Sequence, residues 1–162
     1  MWLRSTTHQN TFITMKNLII TSLIAGLGIA SATAEENADG KAAYMTCSAC
    51  HSADGKGLPI GDKKMAPSLA GSKIVTGDPA VLALVVLKGI KKEGTDYIGA
   101  MAPLEGVYAD DKKLADVLTY VRQSFGNSAE AVTPEDAAKF RAQWKDEKEP
   151  VTRAKLGELE KK

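Results

Sequence analysis

The chain has 162 residues, 44% of them hydrophobic and 25% charged, which suits one globular domain with some length to spare. A formal net charge of +1 gives no reason to expect nucleic acid or another polyanion as partner. Aromatic residues make up only 6%, a small share for a core built from side chains alone.

Residues 1–34 contain no acidic residue. Lys16 precedes a mostly apolar run, Leu18 to Ala30, and Ala32-Thr33-Ala34 follows as a small-residue cleavage motif. This three-part pattern predicts a secretory signal peptide removed after Ala34. The run is short for a membrane span, so an uncleaved anchor is the weaker alternative. Met15 onward already forms a complete signal, so residues 1–14 read as an over-long start or as a genuine basic leader. The expected location is the periplasm or the exterior, with no membrane contact after cleavage. Processing removes Arg4 and Lys16, taking 21 basic residues to 19 against 20 acidic, a formal charge of −1. It also removes His8, leaving His51 as the one histidine and Cys47 and Cys50 as the two cysteines.

Ala38 to Met45 reads as a short helix, with Asn37 or Asp39 as its cap. It leads into Cys47-Ser48-Ala49-Cys50-His51, the spacing of a c-type haem attachment site. Each thiol bonds one vinyl group, and the adjacent imidazole then reaches the iron as an axial ligand. A redox CxxC pair would expect a βαβ context, and a structural zinc needs four ligands that the processed chain does not offer. A bound haem would also supply the apolar bulk that the composition lacks.

Residues 54–71 are rich in Gly and Pro and read as loop, long for a compact domain unless wrapped around a cofactor. Asp78-Pro79 predicts a capped second helix through Leu87, closed by Gly89 and apolar on more than one face, hence buried. Residues 91–106 are again irregular. Asp110 caps a third helix, whose Leu114, Val117, Leu118, Val121 and Phe125 form one apolar stripe ending at Gly126-Asn127. The fold class is all-α, with short helices and long loops around one covalent haem.

With no second histidine, the sixth ligand falls to Met45, Met65 or Met101. Met45 lies on the segment that carries the thiols and cannot easily cross the ring. Met65 is sterically able to reach. Met101 is favoured, because it follows a helix that can carry the chain around the haem. A His/Met pair raises the potential and leaves no open axial site.

Together, Cys47 to His51, residues 66–71, Gly99-Ala100-Met101-Ala102-Pro103-Leu104 and Leu118-Thr119-Tyr120-Val121-Arg122 resemble a class I c-type cytochrome. More narrowly, they are similar to bacterial monohaem domains secreted singly or fused to periplasmic dehydrogenases. The resemblance covers about residues 37–141. It implies haem c bonded to Cys47 and Cys50, His51 and Met101 as axial ligands, and Pro67 and Leu69 in contact with the cofactor. Pro67 would accept a hydrogen bond from the haem histidine, which puts it on the histidine side and argues against Met65. Gly40 and Tyr44 would face Tyr120 where the first and last helices of the domain cross. Many members have Met followed directly by Pro; here Ala102 intervenes.

The expected organisation is a signal peptide at 1–34, a cytochrome c domain at 35–127 and a C-terminal helical extension at 128–162. Thr133-Pro134-Glu135-Asp136 starts a helix in that extension. Its Phe140 and Trp144, at i and i+4, either pack back on the domain or dock a partner. Beyond Pro150 the charged sequence is expected to fray.

The expected function is periplasmic electron transfer with redox proteins as partners: a dehydrogenase, oxidase or reductase. The alternatives are a haem subunit bound within a dehydrogenase complex, or a haem enzyme or gas sensor with an open axial site. Lys56, Lys63, Lys64, Lys88, Lys91 and Lys92 form either a positive rim around the haem crevice or scattered solubilising charge.

Overall fold

The computed structural model describes residues 30–161 except Thr95, with side chains from residue 38 onward. The expected signal segment up to residue 29 therefore lies outside the described residues.

Helix α1 spans Ala30–His51 and does not stop at Met45. Asn37 and Asp39 both stand inside it, well past its start. From Lys41 to Ala49 nothing breaks a helix, so the Cys47–His51 motif itself is helical. The stop comes at Ser52, whose φ of +66° leaves helical space. Tyr44 secures this exit by donating its hydroxyl to the Ser52 carbonyl at 2.7 Å. Asp39 instead pairs with Lys112 at 2.7 Å.

The following loop carries one small hairpin, β1 (Pro59–Ile60) against β2 (Lys63–Lys64), antiparallel with Pro59 opposite Lys64. Gly61 takes the positive φ its turn requires. A short helix α2 (Lys73–Thr76) precedes α3 (Pro79–Lys88). The Asp78 carboxylate caps α3 by accepting from the Ala80 amide at 2.8 Å, with Pro79 in the first turn. Every residue of α3 from Ala80 to Lys88 is buried, as its all-round apolar sequence predicts. Gly89 closes it with φ +73°.

Helix α4 (Asp111–Gln123) is capped by Asp110, which accepts from the Lys113 amide at 2.9 Å. Its stripe of Leu114, Val117, Leu118 and Val121 is buried against α1 and α3. Each fully buried leucine is worth about 1.5–3 kcal/mol relative to exposure. Tyr44 of α1, Tyr120 of α4 and Phe125 just beyond it form an aromatic trio with centroids 5.2–5.8 Å apart. Arg122 is buried on α4 and reaches three carbonyls: Val75 at 3.0 Å, Gly77 at 2.8 Å and Glu130 at 2.8 Å. One guanidinium thus ties α4 to the α2–α3 turn and to the chain that follows.

Helix α5 (Pro134–Gln143) opens with a capping box between Thr133 and Asp136. Phe140 and Trp144 pack back on the helices before them, the first of the two readings. Phe140 joins the main core, and Trp144 Nε1 donates to the Ala80 carbonyl at 2.7 Å. The expectation of fraying beyond Pro150 does not hold. Helix α6 (Arg153–Leu159) is capped by Thr152, and Val151 and Leu156 are buried with Val81, Leu84 and Val85 of α3. The charged composition hid two apolar anchors, which suffice once α3 offers them a surface. Among the described residues no helix is long and apolar enough to cross a membrane.

Candidate functional site

Cys47, Cys50 and His51 stand at i, i+3 and i+4 on α1, so one helix face carries all three side chains. That face lines a cleft of about 430 Å³, whose apolar walls come from α3 and α4 through Leu82, Val85, Val86, Val117 and Val121. Both cysteines are unpaired and half-buried. Among the described residues no group of three or more His, Cys, Asp and Glu side chains is arranged to hold a bare metal ion. The donor set instead suits a large apolar ring gripped by two thiols at one edge.

His51 is buried, and its Nδ1 lies 3.0 Å from the Pro67 carbonyl. A carbonyl only accepts, so Nδ1 carries the proton and Nε2 keeps its lone pair. Burial holds the imidazole below its ordinary pKa, partly opposed by the Pro67 hydrogen bond. A neutral ring with a free Nε2 is the form that binds iron.

The loop that carries Pro67 is tied down just beyond it, at Leu69 and Gly71. The Leu69 amide donates to the Gly55 carbonyl at 2.7 Å. The Asn127 side chain accepts from the Gly71 amide at 2.9 Å and donates to the Leu69 carbonyl at 3.1 Å. Leu69 lines the cleft and packs on the main core.

The three methionines separate as follows. Met45 is 67% exposed and does not line the cleft. Met65 also lines it, although its near neighbour Pro67 meets His51. The Met65 carbonyl accepts from the Gly99 amide at 2.8 Å, and its sulfur lies against Gly99. Met65 therefore belongs with the loop that carries Met101. Met101 reaches deeper, packing against both core clusters from the cleft wall. Its backbone is fixed by the Ile90 amide, which donates to the Met101 carbonyl at 2.9 Å. Lys92 directs its ammonium onto the Tyr97, Ile98 and Gly99 carbonyls and so braces the approach to Met101.

Tyr108 was not legible in the sequence. It is fully buried, donates to the Ala43 carbonyl at 2.9 Å and lies 3.3 Å from Cys47 Sγ. Its one proton goes to Ala43, so the thiol donates to the phenol oxygen. Burial pushes the Cys47 thiol above its usual pKa. No local pattern marks a lone tyrosine in a turn as the support of a cysteine on another element.

The suggested lysine rim is only partly present. Lys56, Lys63 and Lys64 are exposed on the hairpin side, and Lys91 and Lys92 line the cleft. Lys88 is not on the surface: it is buried and paired with Glu105 at 2.7 Å.

Residues 37–125 match the family model of cytochrome c. The chain belongs to the cytochrome c family. Membership indicates a haem c and electron transfer, and the spacing of Cys47 and Cys50 is consistent with covalent attachment. This cytochrome c domain is 33% identical over 109 residues to the cytochrome c subunit of a quinone alcohol dehydrogenase from Gluconobacter oxydans (strain 621H). That alignment covers 65% of this chain and 22% of the relative. It is also 34% identical over 113 residues to the gluconate 2-dehydrogenase cytochrome c subunit of Pantoea cypripedii, covering 66% of this chain and 25% of the relative. The chain spans about a quarter of the length of the curated relatives it matches.

Proposed function

We propose that this cytochrome c is a periplasmic monohaem electron carrier with His51 and Met101 as axial ligands. Haem c would be held through Cys47 and Cys50, with Pro67 and Leu69 against it. The observation that carries this reading is the single face of α1 that presents both thiols and a neutral His51 to an apolar cleft also lined by Met101. When bound, the group supplies a one-electron Fe(II)/Fe(III) couple. The chain's own work is to orient His51 through Pro67, exclude water with α3 and α4, and supply a thioether that raises the potential.

The organisation that accompanies this reading is an export signal at residues 1–34, a haem domain at 35–127 and an extension at 128–162. Partners are redox proteins, and a periplasmic dehydrogenase is the favoured electron donor because both relatives are dehydrogenase subunits. The same similarity supports a second reading, a haem subunit retained within a dehydrogenase complex. Co-purification of a dehydrogenase with the tagged chain at high salt would favour that reading over a free shuttle.

Ferric and ferrous absorption spectra of the wild type and Met101→Ala test the ligation. The wild type should be low-spin in both states, with a thioether-to-iron charge-transfer band at the red end of the ferric spectrum. Met101→Ala should lose that band. A high-spin wild type that binds CO readily would overturn the carrier reading in favour of an open-site haem protein.

A further inference from the structure

The family match ends at residue 125, yet the chain well beyond it returns to the cleft. Residues 89–91 lie between Met101 on one side and Val151 on the other. The Ile90 amide donates to the Met101 carbonyl at 2.9 Å; the Val151 amide donates to the Gly89 carbonyl at 3.0 Å, and the Lys91 amide to the Val151 carbonyl at 2.8 Å. The first of these junctions is tight. A Cβ on Gly89 would stand 2.3 Å from the Met101 carbonyl oxygen and 2.8 Å from Pro103 N.

Side chains repeat the link. Val151 and Leu156 are 2% and 4% exposed in the cluster formed with Val81, Leu84 and Val85, and Ile90 and Met101 pack on that same cluster. The Arg153 amide donates to the Glu93 carboxylate at 2.9 Å, and Arg153 and Glu160 line the cleft itself. Among the described residues, 91–106 hold no helix or strand of their own, so Met101 is fixed by contacts from other segments.

We propose that residues 150–159 form a positioning strap for the Met101 loop, holding the thioether at the iron against competing ligands. This rests on the reading of Met101 as the sixth ligand. A neutral thioether is a weak ligand, so its hold depends on how much loop freedom has already been removed. Val151 and Leu156 act through Ile90 and the α3 surface; they are positioning residues.

The test uses the full-length ferric holoprotein titrated with imidazole, which competes for the methionine position. Leu156→Ala, and the milder Val151→Ala should the first not fold, are expected to raise apparent imidazole affinity about tenfold. The red-end band should also vanish at a lower temperature than the helical circular dichroism. Val132→Ala, which truncates the main core beside α5, should lower folding stability without changing imidazole affinity. Strap variants that bind imidazole like the wild type, or a Val132→Ala effect as large as theirs, would overturn the strap while leaving the ligand in place. If Met101→Ala itself changes neither the band nor imidazole binding, the ligand reading falls and takes the strap with it.

Discussion

Gly40 of α1 meets Tyr120 of α4 so closely that a Cβ on Gly40 would stand 2.8 Å from Tyr120 Cβ and 2.6 Å from the Asp116 carbonyl oxygen. This crossing sets the angle of the helix that carries Cys47, Cys50 and His51. Gly40→Ala gains helix propensity but must push the two helices apart. Overpacking of this kind costs about 1–3 kcal/mol, and the main obstacle is backbone, which does not yield. The melting temperature of the holoprotein should fall; an unchanged or raised value would mean that the helices separate without penalty.

The pairing of Met65 with Gly99 puts two thioethers at one cleft, and they are predicted to behave differently. Met101→Ala should lower the reduction potential and admit CO to the ferrous protein, since His/Met ligation raises the potential. Met65→Leu, close in volume, should leave potential and spectrum unchanged. Potentiometric titration of both variants decides; a large drop for Met65→Leu would exchange the assignments.

Tyr108 holds α1 from a distance of 65 residues through its bond to Ala43. Tyr108→Phe keeps the ring and removes the hydroxyl, and loss of the bond to Ala43 alone costs about 1 kcal/mol. The midpoint of denaturant unfolding should fall with an unchanged slope. A wild-type midpoint would show that the phenol packs but does not bond.

The acid side of the stability curve depends on the α5 capping box. The Asp136 carboxyl is held below the usual carboxylate range, chiefly by the Thr133 hydroxyl and then by Lys139. A depressed folded value stabilises the native state above the unfolded pKa of about 3.9. That contribution is lost as pH falls from there through the lower folded value. Asp136→Asn should therefore flatten the loss of stability below about pH 4. Unfolding midpoints measured from pH 5 down to 2.5 check this, and parallel curves for the two proteins would reject it.

Local signals carried far in this chain. Asp78, Asp110 and Thr133 each cap the helix their positions announce, because a cap is a bond between residues two or three apart. The apolar α3 and the striped α4 lie where their periodicities put them. The first helix is longer than its local signals suggest, since Asn37 and Asp39 look like caps yet lie within it, and the residues up to His51 sustain it. Tyr108, the buried Lys88 and the docking of α6 left no local mark, because each depends on a partner distant in sequence.

The haem chemistry is written locally: the spacing of Cys47, Cys50 and His51 needs only one turn of helix to put them on one face. It also limited the remaining sulfur ligands to a few methionines. Which of these reach the cleft, and the return of Val151 to the Met101 loop through Ile90, depend on long-range packing. Those relations join segments some 10 to 60 residues apart, and their geometry is set by the shared burial of α3, which no single stretch of sequence encodes.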